Sequence, residues 1–263
     1  MSKKVTRKQL KKMIANGDDV RFVDTSGITD MGGLFKYNKE FNQDISGWDT
    51  SNVTNMGWTF YGASAFNQPI GNWDVSNVTD MSYMFHEAEE FNQPIGNWDT
   101  SNVKNMVSMF SEASAFNQPI GDWDVSNVMN MMDMFSMAIV FNQPIESWNT
   151  LNVTSMKSMF YRAEAFNQDI SRWNTSNVTG MSFMFNEAFA FNQDIKNWNV
   201  LNVQYVNLMF IDSGMYHIYD FIMKFEDPRE ALRKILGNKI YEEIKDIPIE
   251  KIDEYLKMRK ING

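Results

Sequence analysis

Seven residues spaced 25 positions apart, Asp49, Asp74, Asp99, Asp124, Asn149, Asn174 and Asn199, form a row of four carboxylates continued by three carboxamides. Stacked at the ~4.8 Å separation of neighbouring strands, like charges repel by about 1 kcal/mol or less per adjacent pair in water. A row of this kind therefore needs a counter-charge or a structural hydrogen bond, and two roles stand open: steering a basic partner, or capping a turn within each repeat. The flanking positions share its character. Asn72, Asn97 and Asp122 precede the row and Ser51, Ser76, Ser101 and Ser126 follow it, whereas Leu151, Arg172 and Leu201 occupy the flanks further on. The expected surface is acidic in its N-terminal half and neutral, partly apolar, in its C-terminal half. Its thirteen candidate protein-binding residues are Asp49, Asn72, Asp74, Asn97, Asp99, Asp122, Asp124, Asn149, Leu151, Arg172, Asn174, Asn199 and Leu201.

Other chemistry finds little support. Catalysis needs one asymmetric constellation with divided environments, whereas a repeat sets its carboxylates in rows. There are two histidines, His86 and His217, and no cysteine, which removes disulfides and thiolate sites. G-x-S-x-G, H-E-x-x-H, P-loop and dinucleotide-binding patterns are missing, as is the nonapeptide pattern of calcium-binding β-rolls. No enzyme activity, cofactor or metal site is expected.

The elements that must position the row follow from the same period. Phe-Asn-Gln recurs at Phe41, Phe66, Phe91, Phe116, Phe141, Phe166 and Phe191, with Trp seven positions later each time. A divergent first copy aligns Val20, Val23, Thr25, Ile28, Met31 and Phe35 with Ile45, Trp48, Thr50, Val53, Met56 and Phe60. A fixed period of this length is the signature of a stacked repeat. The spacing of Ile70, Trp73, Val75 and Val78 predicts a short strand, and Val78, Met81, Met84, Phe85 and Ala88 follow one face of a helix. The expected fold is α/β: a leucine-rich-repeat-like solenoid of eight coils over residues 20–214, with short parallel strands on the concave face and helices on the convex face. Thr54, Thr79, Thr154 and Thr179 are expected to start those helices. Pro69, Pro94, Pro119 and Pro144, or Asp44, Asp169 and Asp194, close each coil.

The Trp, Phe and Met ladders are expected inside as core, and the Asn52-type ladder on backbone groups of its own or a neighbouring coil. Helical caps should cover the open ends: residues 1–19, where Thr6 caps a helix ended by Gly17, and residues 215–263, where Asp227, Pro228 and Glu230 start a helix that Gly237 stops, with further helices near 239–245 and 249–260.

Net charge is −9, concentrated in residues 24–214, which hold 21 Asp/Glu against seven Lys/Arg. An acidic body disfavours nucleic acid and anionic membrane and favours a basic or neutral protein partner. No run is apolar enough to insert into a membrane, and the basic N-terminus lacks the apolar run of a secretory leader, so a cytoplasmic location is expected.

The unit FNQPIGNWDTSNVTNM, with the entry VDTSGITDMGGLF, resembles the BspA-like leucine-rich-repeat surface proteins of bacteria, whose 25-residue repeats also occur in mycoplasma lipoproteins. The resemblance implies a solenoid with roles in adhesion and protein contacts, and a surface or secreted location. Two functions follow as expectations: a non-enzymatic protein-binding scaffold using a concave, partly acidic face, or a bacterial adhesin exported by a non-classical route.

Overall fold

The computed structural model describes residues 3–262 and contains very little regular secondary structure between its two ends. At the front, β1 (Lys3–Lys4) pairs in parallel with β2 (Val23–Asp24), and α1 (Arg7–Asn16) lies between them. Thr6 caps α1 reciprocally with Gln9, and Gly17 ends the helix in the left-handed region. Leu10 and Ile14 are buried in the core of the first repeat. At the back come α2 (Tyr219–Ile222), α3 (Pro228–Ile244) and α4 (Ile252–Asn262). Asp227 caps α3, with Pro228 opening it. At Gly237 (φ 73°, ψ 162°) the backbone leaves helical geometry, so the Pro228–Ile244 span is two helices meeting at a kink, with the first ending where the sequence places its stop.

The repeat region corrects the strand-and-helix expectation: from residue 25 to residue 218 there is neither a strand nor a helix. Each 25-residue unit is a chain of tight turns, held to its neighbours by isolated parallel bridges that run from Asp30 and Asn55 to Gly180 and Tyr205. The stretch with helical spacing shows why. Amides of Met56, Trp58, Phe60 and Gly62 donate to the carbonyls of Asp80, Ser82, Met84 and His86 in the next unit at 2.7–2.9 Å, while those of Thr59, Tyr61 and Ala63 close turns onto Met56, Trp58 and Phe60. Alternate amides thus bond between units and within them.

A helix is about 10 Å across and spends its amides on itself, so it can neither stack at this spacing nor bond sideways. Two residues per unit, four apart, adopt left-handed backbone and break the helix: Tyr83 and Glu87, Ser108 and Glu112, Asp133 and Met137, and their equivalents onward. The three-and-four spacing of Val53, Met56, Phe60 and Ala63 comes from turns that advance the chain three or four residues at a time. Threonines expected to start helices serve the neighbouring unit, with Thr79 and Thr154 hydroxyls donating to the carbonyls of Thr54 and Met129 at 3.3 and 3.1 Å.

The core is a set of aromatic columns. Phe60, Phe85, Phe110, Phe135, Phe160 and Phe185 stack at 5.5–5.8 Å, and each meets the Phe six residues later at 3.8–4.0 Å. The seven tryptophans of the 25-residue ladder are buried, as read from the sequence, and each indole donates to the carbonyl 28 residues earlier, from Trp48 to Val20 at 2.9 Å through Trp198 to Ile170 at 3.0 Å. A buried indole thereby satisfies its one donor. The protein is a repeat fold whose consecutive units bond face to face.

Candidate functional site

All thirteen residues of the expected surface are exposed, with Leu201 the most open apolar one at 85%. The structure also gives the row its structural bond. Oδ1 of Asp49, Asp74 and Asp99 accepts the amide two residues on at 3.0 Å, that of Asp124 at 2.9 Å, and the Asn149, Asn174 and Asn199 carbonyls do the same at 3.2, 3.0 and 2.9 Å. Aspartate and asparagine are interchangeable in this turn because only Oδ1 is used. Hydrogen bonds from the Ser51 hydroxyl and amide hold the Asp49 carboxyl below the usual carboxylate range, and Ser101 does so for Asp99. Beside the row, Asn77 Nδ2 donates to the Ser51 carbonyl at 2.8 Å, and this bond recurs from unit to unit.

The other long face is the turn ladder, and there the repeat stops repeating. Flanking the invariant Phe60 column, between the Met56 and Ala63 columns, lie four positions whose occupants vary along the stack. Two of these columns read Gly33, Trp58, Tyr83, Ser108, Asp133, Ser158, Phe183, Leu208 and Lys36, Tyr61, His86, Ser111, Ser136, Tyr161, Asn186, Ile211. The constant positions build the core and the turns, so these columns are free to differ. Nothing in a single ladder marks them; their signal is the departure from identity among near-identical copies.

At its N-terminal end this face is aromatic. Trp58 stacks on Tyr83 at 4.1 Å and on Tyr61 at 4.9 Å, and Tyr37 meets Tyr61 edge-on at 5.0 Å. Lys36 Nζ lies 4.0 Å from the Trp58 ring centre and 4.9 Å from that of Tyr61, a cation held over aromatic faces. Next to it His86 Nε2 sits 3.2 Å from Glu87 Oε1, and Glu112 follows one unit on. Partial burial, a hydrogen bond with Tyr37 and the carboxylates of Glu87 and Glu112 push the Tyr61 phenol up to about 12. Burial raises the Asp133 carboxyl above its ordinary value despite the Ser158 hydroxyl beside it. Further along, Arg162 pairs with Glu187 at 3.1 Å. The face thus changes from aromatic to acidic to mixed along its length.

No helix among the described residues is long and apolar enough to cross a membrane. Neither a curated protein nor a solved structure matches the chain. A comparison with protein families does match, over residues 6–123 and again over 108–218, which together span most of the sequence. Those two overlapping matches cover the stacked units and α1, and the chain accordingly belongs to the family described as DUF285, Mycoplasma protein of unknown function.

Proposed function

We propose that this protein is a non-enzymatic scaffold of eight stacked turns that captures a protein partner on its turn-ladder face. The observation that carries the reading is that four columns of that face vary along the stack on either side of a Phe60 column that is Phe in every unit. A stacked repeat recognises its ligand by varying side chains on a fixed frame. The Asp49 row varies little, and its Oδ1 atoms are committed to turns. The spacing of the columns supports a groove on the same side. Phe60-type rings stand 5.5–5.8 Å apart and Trp-type rings 6.2–6.4 Å, a closer spacing beneath the turn ladder. The acidic body favours a basic or neutral partner.

Ser occupies the Tyr83 column in two other units, at Ser108 and Ser158, so Tyr83→Ser and Phe183→Ser copy side chains that the frame already accepts. Affinity capture with the full chain is expected to lose its partner in the double variant Y83S/F183S and to keep it in D74N/D99N/D124N, whose turns survive. Retention by the first and loss by the second would return recognition to the Asp row.

A further inference from the structure

We propose that His86, Glu87 and Glu112 form a binding site for a divalent transition-metal ion, with zinc as the reference ion. One ligand atom from each residue lies within 4.8 Å of the other two. A tetrahedral ion with bonds of about 2.0–2.2 Å sets its ligands roughly 3.3 Å apart, so the glutamates need only a small swing about flexible torsions. The fold creates the juxtaposition. Glu87 and Glu112 share one column of adjacent units, drawn together by the Glu87 amide donating to the Ser111 carbonyl at 2.9 Å.

Charge and geometry both favour a cation here. Among the described residues Glu87 has His86 as its ion-pair partner and Glu112 has none. One imidazole can offset at most one of two carboxylates, and the nearby Lys36 ammonium is engaged with the Trp58 and Tyr61 rings. His86 Nε2 faces Glu87 Oε1 at 3.2 Å on a side chain that is 13% exposed, so this nitrogen is the one offered to an ion. The ring is walled by Tyr61 at 4.6 Å and Tyr83 at 5.8 Å, which thins solvent around the cluster. One imidazole with two carboxylates suits zinc, manganese or ferrous iron; magnesium and calcium ask for more oxygens.

With just two histidines in the chain and no cysteine, the test is clean. The full-length protein, stripped with chelator, is titrated with zinc chloride by calorimetry. The expected result is one ion per chain, with affinity weakened at least ~10-fold in H86A and in the near-isosteric E112Q, and unchanged in H217A. Magnesium in excess should not compete. Failure to saturate, equal binding by H86A and E112Q, loss in H217A, or displacement by magnesium would each overturn the site. This inference stands apart from partner capture, since the readout is the ion alone.

Discussion

Gly96 faces the next unit so closely that a methyl group there would lie 2.5 Å from the Pro119 carbonyl oxygen. Ordinary carbon contacts begin at ~3.5 Å, so Gly96→Ala must part the two units by most of an ångström. That side of the stack is stitched, by Trp123 donating to the Ile95 carbonyl at 3.1 Å and by Asn127 donating to the Ser101 carbonyl at 2.7 Å. Overpacking of a tight site costs about 1–3 kcal/mol, and one stretched hydrogen bond adds ~1 kcal/mol, so a loss of roughly 2–4 kcal/mol is expected. A natural unit supplies the rescue. Ser46 has a side chain at the same column, preceded by Asp44, whose Oδ1 accepts the Ser46 amide at 3.0 Å; glycine stands where Pro replaces that Asp both in its own unit and in the next, as at Gly71, Gly96 and Gly121. Pro94→Asp combined with Gly96→Ser copies the Asp-type closure and is expected to cost less than about 1 kcal/mol. Urea unfolding followed by tryptophan emission measures both. A G96A protein within about 0.5 kcal/mol of the parent, or a double variant as damaged as G96A, would refute the steric account.

Three further outcomes are expected. Phe110→Ala empties a fully buried site in contact with Phe85, Phe116, Trp123 and Phe135; it should cost about 3–5 kcal/mol and split the single unfolding transition in calorimetry into two, because units are coupled only to neighbours. Asp99→Asn should leave stability within about 0.5 kcal/mol of the parent in urea, whereas Asp99→Ala, which removes the turn bond, should lose ~1 kcal/mol. The depressed Asp49 and Asp99 carboxyls stabilise the fold at pH above their unfolded value of about 3.9, and this contribution is lost as pH falls through the lower folded value. Acid unfolding curves of D49N/D99N should accordingly be flatter below about pH 4 than those of the parent.

Much of the fold was legible because identity at fixed spacing reports burial directly: the Phe, Trp and Met columns are core, and Thr6, Asp227 and Pro228 start helices as their types require. The turn ladder was hidden because a chain of turns advancing three or four residues mimics the spacing of a helix. Left-handed backbone at Tyr83, Ser108 or Asp133 carries no side-chain signature, since stacking, and not glycine, enforces it. Reading the ladders also drew attention to what is constant, the Asp49 row, and away from the changing columns. His86, Glu87 and Glu112 were invisible as a group, being spread over two units and brought together only by the register.

The last unit does not end on an open edge: the Leu208 amide donates to the Lys234 carbonyl of α3 at 2.7 Å, in place of a following turn, and β2 receives β1 at the other end. Because each rung reaches only one unit ahead, both terminal seals are indifferent to how many rungs lie between. Removing residues 101–125 would join Thr100 to Ser126, a pairing the chain already uses at Thr50–Ser51 and Thr175–Ser176, so the reach of this protein is adjustable in whole steps by recombination within its own gene.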